Sequence, residues 1–271
     1  MRIALLDSGV GLLAAASALR DLRPDADLVL TTDPDGMPWG PRTPEDVTER
    51  ALGIARAALP YEPDALIVAC NTASVHALDR LRAELEPGVP VVGTVPAIKP
   101  AAASGGPVAI WATPATTGSA YQRGLIDRFA GGVPVAEVAC PGLADAVDAG
   151  DRDRVAAAVA DAASRTPARV RSLVLGCTHY ELIANVIRDT VPAALFGSAT
   201  AVAAQALRRV GAAPAPGGDA TGRLTVLRSG RPEPLPDVAL AYPQGRAIAG
   251  GGEDAPDARG GRVGVSASRT R

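Results

Sequence analysis

The 271-residue chain is short of aromatic side chains, with two Trp, four Tyr and two Phe in all. So few rings argue against a base-stacking platform for single-stranded nucleic acid. They also leave the cores to Ala, Val, Leu and Ile. Net charge is −2, which withholds the basic footprint that nucleic-acid binding requires. Lysine is almost missing: Lys99 is the single one, so Schiff-base chemistry has one candidate. Lys99 stands in Ala97-Ile98-Lys99-Pro100 with no phosphate-cradling glycine loop nearby. A surface or helix-start role suits it better than a pyridoxal site. Three cysteines, an odd number, make no disulfide framework. No apolar run approaches the roughly 18 residues of a membrane span. The opening run Ile3-Ala4-Leu5-Leu6 ends at Asp7, too short for a signal peptide. These absences predict a soluble, cytoplasmic protein with reduced thiols and few nucleophiles, contacting neither nucleic acid nor membrane.

What is present is apolar and regular. Hydrophobic residues make up 47% of the chain, and its length suits two domains of about 100–150 residues each. Short apolar runs alternate with Ala/Leu/Arg stretches of helical period. Strands are expected at Ile3–Leu6, Asp27–Thr31, Ala65–Ala69, Val89–Val92, Val108–Trp111, Val133–Val138, Leu173–Leu175 and Leu224–Leu227. Helices are expected at Leu12–Arg20, from Thr43 to about Ala58, and at Ser74–Leu85, Tyr121–Phe129, Arg152–Ser164 and Ile183–Asp189. Thr43-Pro44-Glu45-Asp46 reads as an N-cap, an N1 proline and first-turn acids. The alternation implies mostly parallel sheets covered on both faces. Pro214–Asp219 reads as a surface loop, and 245–271, rich in Gly, Ala, Ser and Arg, as a disordered tail.

The halves resemble each other. Leu66-Ile67-Val68-Ala69-Cys70-Asn71-Thr72 matches Leu173-Val174-Leu175-Gly176-Cys177-Thr178-His179 at an offset of 107, and the opening strands at Ile3 and Val108 are offset by 105. This predicts two pseudo-symmetric α/β units, with a cysteine at the carboxyl end of a corresponding strand in each. That edge is where open α/β sheets bind ligands. The expected division is 1–93 with 205–244 as one domain and 94–204 as the other, the active site lying in the cleft between them.

A lone free cysteine is as readily core filler. Two at equivalent turns, each beside polar residues, point to chemistry. Cys140, before Pro141-Gly142, lacks such company and reads as core or loop filler. A metal site is weakly supported, because Cys177-Thr178-His179 offers two ligands where zinc takes three or four. A redox disulfide between Cys70 and Cys177 would leave the neighbouring Asn and Thr residues without a role. Two thiols across a cleft suit proton abstraction from one face of a carbon acid and delivery to the other, each sulfur roughly 3–4 Å from the carbon. No cofactor is needed for that. Asp7 ends the first strand and reads equally well as an N-cap. His179, beside Cys177, suits a proton-relay or orienting role. His76 falls inside a predicted helix and reads as structural.

Asp7-Ser8-Gly9-Val10-Gly11, Pro38-Trp39-Gly40, Ala69-Cys70-Asn71-Thr72-Ala73-Ser74, Val95-Pro96-Ala97-Ile98-Lys99-Pro100-Ala101 and Gly176-Cys177-Thr178-His179-Tyr180 together resemble the glutamate racemases of the aspartate/glutamate racemase superfamily. The resemblance runs in order from residue 3 to about 211. It implies cofactor-independent interconversion of L- and D-glutamate, supplying D-glutamate for peptidoglycan, with a homodimer among the assemblies it allows. By this resemblance Cys70 and Cys177 are the two acid/base thiols, each serving one enantiomer. Asp7 assists Cys70, and His179 assists Cys177. Ser8, Asn71, Thr72, Thr178 and the Trp39-Gly40 backbone hold substrate, and Thr113 and Thr116 fall where the family also contacts it. The chain departs from the pattern at several points. Gly11-Leu12 replaces a glycine pair, Trp39 replaces Tyr, and Gly197-Ser198 stands for Asp-Ser. Asp148 aligns loosely with a common Glu and is left outside the first rank. Beyond 211 the match fades and no final helix is evident. These changes bear on substrate size and turnover. A racemase of aspartate or another small acid, and a catalytically silent amino-acid binder, are the alternatives.

Overall fold

A computed structural model describes residues 1–250. Ten strands run in chain order: β1 (Arg2–Asp7), β2 (Asp27–Thr32), β3 (Ala65–Val68), β4 (Val91–Gly93), β5 (Val108–Ala112), β6 (Val135–Ala139), β7 (Ser172–Leu175), β8 (Ala194–Phe196), β9 (Leu224–Arg228) and β10 (Arg231–Pro232). They form two sheets, ordered β10-β9-β2-β1-β3-β4 and β6-β5-β7-β8. All pairings are parallel except β9 with β10. Within them β2-β1-β3-β4 and β6-β5-β7-β8 follow the same plan, so β3 and β7 hold equivalent places. The internal match in the sequence is therefore a match in topology.

Burial explains the run-like strand sequences. Ile3, Ala4, Leu5 and Leu6 in β1 are all fully buried, as are Val108 to Ala112 in β5. A central parallel strand is covered on both faces, so its residues are continuously apolar instead of alternating. One apolar cluster reaches from Ile3 and Leu5 through the Leu13–Leu22 helix to Trp111, Leu173 and Tyr180. It joins the two sheets into one body.

Eight predicted strands coincide with β1–β7 and β9 to within about two residues, while β8 and β10 carry no clear sequence signal. The Thr43 cap forms as expected, its Oγ1 accepting from Asp46 N–H at 3.3 Å ahead of the Pro44–Ala58 helix. Two expectations need correction. The helix expected at Ser74–Leu85 is two helices, Asn71–His76 and Leu78–Leu85, and Thr48 Oγ1 reaches the His76 carbonyl at 3.0 Å beside the break. The tail expected to be disordered from 245 opens in a helix, Pro243–Ala249, with Ile248 fully buried; it follows the short Asp237–Leu240 helix. Residues 251–271 lie outside the described residues. Among the described residues, no helix is long and apolar enough to cross a membrane.

Candidate active site

Each of the two equivalent strands ends in a cysteine that caps a short helix. Cys70 follows β3 and precedes Asn71–His76; Cys177 follows β7 and precedes Thr178–Leu182. Both residues have extended φ/ψ (−142°, 123° and −139°, 135°), and both are nearly buried, 6% and 7% exposed. They line one cavity of about 480 Å3. Ser8, Trp39, Gly40, Asn71, Thr72, Thr113, Thr116, Thr178 and His179 line the same cavity. Asp7, fully buried, stands behind this wall. The structure thus gathers all the residues singled out from the sequence, whereas His76 and Lys99 are exposed and face elsewhere.

Each thiol has its own titratable neighbour. Asp7 lies beside Cys70, and its Oδ1 accepts from Ser8 N–H at 2.7 Å. Burial pushes the Asp7 carboxyl up to about 6, against the opposing pull of His179 and the Cys70 thiol. Burial also drives the Cys70 thiol well above the usual range, and the Asp7 charge adds to it. On the other side, Cys177 Sγ is 3.7 Å from His179 Nδ1. Burial alone would lower the His179 pKa, but the Asp148 and Asp7 carboxylates outweigh it and hold the ring well above its ordinary value. His179 Nε2 is 3.0 Å from Asp148 Oδ2, and Nδ1 is 4.0 Å from Asp7 Oδ2.

Asp148 is the residue that the sequence undervalued. Besides facing His179, its Oδ1 accepts from Val10 N–H at 2.8 Å. It therefore clamps the turn after β1 to the imidazole. The turn admits these groups because it lacks side chains: a Cβ on Gly9 would lie 2.7 Å from Asp148 Cγ, and one on Gly11 2.5 Å from both His179 Nδ1 and Thr178 Oγ1. Glycines spaced two apart after a strand ending in Asp were the available signal. Cys140, expected as filler, is 2% exposed but lines the cavity too, and burial raises its thiol to about 12. It follows β6, whose carboxyl end faces the same cleft.

Three features shape the cavity for a small polar ligand. Asn71 is buried with neither Oδ1 nor Nδ2 hydrogen-bonded among the described residues, leaving a donor and an acceptor for a ligand. Thr113 and Thr116 face each other, Oγ1 to Oγ1 at 3.2 Å. Trp39 packs inward with its Nε1–H donating to Asp33 Oδ2 at 2.9 Å, and so fixes the Pro38–Pro41 edge. Among the described residues no cluster of three or more His, Cys, Asp or Glu is arranged to hold a metal ion.

Two like-ordered parallel sheets, a thiol at the equivalent strand end of each and a separate acid/base partner for each thiol define a class of proteins that move a proton across a carbon centre. The family described as Asp/Glu/Hydantoin racemase matches residues 12–206, and the chain belongs to it. It is 38% identical to the glutamate racemase of Pseudomonas entomophila over 216 residues, 77% of this chain and 81% of that one. It is 39% identical to that of Herpetosiphon aurantiacus over 222 residues, 78% and 85% of the two chains. Among solved structures it resembles Escherichia coli glutamate racemase in complex with L-glutamate and the activator UDP-MurNAc-Ala, with a TM-score of 0.75 and 27% identity over 89% of this chain and 91% of that one. It also resembles the Thermus thermophilus enzyme in complex with β-chloro-D-alanine, with a TM-score of 0.66 and 30% identity over 92% and 93%.

Proposed function

We propose that this protein interconverts L- and D-glutamate without an organic cofactor, Cys70 and Cys177 serving opposite faces of the α-carbon. The observation that carries this reading is the pair of thiols in one cavity, each with a different proton-exchanging neighbour. In one direction Cys70 gives its proton to Asp7, and the thiolate takes the Cα proton. Charge that develops at Cα spreads into the α-carboxylate, which is held by the Asn71 amide and the hydroxyls of Ser8, Thr72 and Thr178. Cys177 S–H then protonates the opposite face and is itself reprotonated by the His179 imidazolium. Return of the proton from Asp7 to His179 across the 4.0 Å gap restores both partners. The reverse direction runs the same steps backwards. General acid–base catalysis of this kind demands thiols within hydrogen-bond reach of the transferring proton.

One wall we assign to 1–93 with 205–244 and the other to 94–204, the Ala199–Arg209 helix that spans this boundary packing on the first, and the product we assign to peptidoglycan supply. The family assignment and the relatives named glutamate racemase support the substrate. Incubation with L-glutamate in deuterated buffer should give D-glutamate carrying deuterium at Cα. Cys70→Ser and Cys177→Ser should each lower racemisation by about 100-fold or more, since each removes one of two essential proton carriers. Inert L- and D-glutamate alongside turnover of aspartate would reassign the substrate, and inertness towards every acidic amino acid would leave a binding protein.

A further inference from the structure

The turn that carries Cys177 is too short to hold itself. Thr178–Leu182 is a single helical turn of five residues, and one turn costs more to nucleate than its own hydrogen bonds return. Its geometry is set by the side chains that leave it. His179 reaches the Asp148 and Asp7 carboxylates, and Tyr180, fully buried, approaches the Cys140 carbonyl at 3.5 Å. The third tether, Glu181, reaches the start of the Ala199–Arg209 helix.

Glu181 Oε1 accepts from Ser198 N–H at 2.8 Å, Ser198 Oγ–H at 2.9 Å and Ala199 N–H at 3.2 Å. These groups open the Ala199–Arg209 helix, which has no side-chain cap of its own. That helix packs on the Leu13–Leu22 helix and on β3 and β4, so it belongs to the frame that delivers Cys70. Gln244 Nε2–H adds a bond at 3.4 Å to the Glu181 carbonyl. Gly197 completes the fit: a Cβ there would stand 2.7 Å from Glu181 Cδ and closer still to Oε2. The carboxylate therefore fills the space that a side chain at 197 would take, which accounts for glycine in the Gly197-Ser198 departure noted in the sequence.

From this arrangement we infer that Glu181 is a positioning residue that fixes the Cys177 turn relative to the frame carrying Cys70, and so sets the separation of the two thiols. The inference rests on the two-thiol reading above. Proton transfer between two carriers and one carbon tolerates little error, and a displacement of about 1 Å costs on the order of 100-fold in rate. Burial raises the Glu181 carboxyl, while the Ser198 and Ala199 donors pull it back; the group is held as an acceptor by those donors.

The test combines kinetics with a readout that needs no turnover. Glu181→Ala should lower kcat tenfold or more with KM changed less than about twofold. Glu181→Gln should recover most of the activity, because one amide oxygen can still take the three bonds made to Oε1. Gly197→Ala should impair the wild type by displacing the carboxylate, yet have no further effect in the Glu181→Ala background, where the space is free. Alkylation by iodoacetamide, resolved by mass spectrometry, should show Cys177 reacting at least threefold faster relative to Cys70 in Glu181→Ala. An unchanged or lowered ratio overturns the inference even if the wild type does not racemise glutamate. Equal effects of Gly197→Ala in both backgrounds, or a Glu181→Ala variant with wild-type kcat, overturn it as well.

Discussion

At the scale of single residues, the site depends on which groups share a proton. His179 faces two carboxylates and a thiol inside a buried pocket. Burial disfavours its charged form; Asp148 and Asp7 more than offset that and raise its pKa. Because the folded value lies above the unfolded value of about 6.5, this group's contribution to stability is complete below that pH. It is lost as pH climbs through the folded value. Asp148→Asn removes the first of the two carboxylates while keeping an acceptor for Val10 N–H. The His179 ring, followed by NMR, should then titrate at lower pH than in the wild type, and racemisation should fall about tenfold. An unmoved titration would assign the whole effect to Asp7. Little of this was legible beforehand: Cys70, Cys177 and His179 announce themselves by local context, but Asp148 meets His179 only after the chain folds.

At the scale of elements, what the sequence disclosed depended on how much burial each element undergoes. β1, β3, β5 and β7 are buried on both faces and read as unbroken apolar runs. The Pro243–Ala249 helix buries one stripe, with Ile248 its single large apolar residue, so composition alone made it look like a tail. It packs against the Leu13–Leu22 helix, and just before it Tyr242 Oη–H donates to the Val147 carbonyl at 2.6 Å. Gly245 allows the close approach, since a Cβ there would lie 2.6 Å from the Ala239 carbonyl carbon. Ile248→Ala should therefore destabilise the fold by about 2–4 kcal/mol in urea unfolding, the usual cost of emptying a packed aliphatic site. A change below about 0.5 kcal/mol, the range of surface substitutions, would mean that this helix contributes no core.

The whole molecule presents its cleft with an unusual charge pattern for an acidic ligand. Among the described residues no Lys or Arg lines the cavity, while Asp145 and Asp148 do. Glutamate would then be held by neutral amide and hydroxyl groups against carboxylate repulsion, with His179 the one cationic neighbour among the described lining residues. Asp145 is exposed on the Leu143–Asp148 helix and lines the cavity from there. Asp145→Asn should lower KM for glutamate about two- to threefold in dilute buffer, and the difference should vanish near 0.5 M salt, where the screening length is only a few ångströms. A KM ratio that ignores salt would remove Asp145 from the electrostatics of entry. Such balances are invisible in a net charge of −2, which sums over the whole sequence what the fold distributes.

The like strand order of the two sheets has a last consequence. A cavity lined by two sheets of the same strand order, each giving a thiol from the equivalent strand end, offers the same kind of group from both sides, and an amino acid and its mirror image differ only in the face that carries one hydrogen. The architecture is thus indifferent to handedness. Its chemistry is not, for a carboxyl attends one sulfur and an imidazole the other. Equilibrium between enantiomers fixes the ratio of kcat/KM in the two directions at unity, but nothing fixes the ratio of the turnover numbers. On the proposed mechanism these should follow different pH curves, so that acidity chooses which hand the enzyme turns over faster while leaving the final mixture racemic.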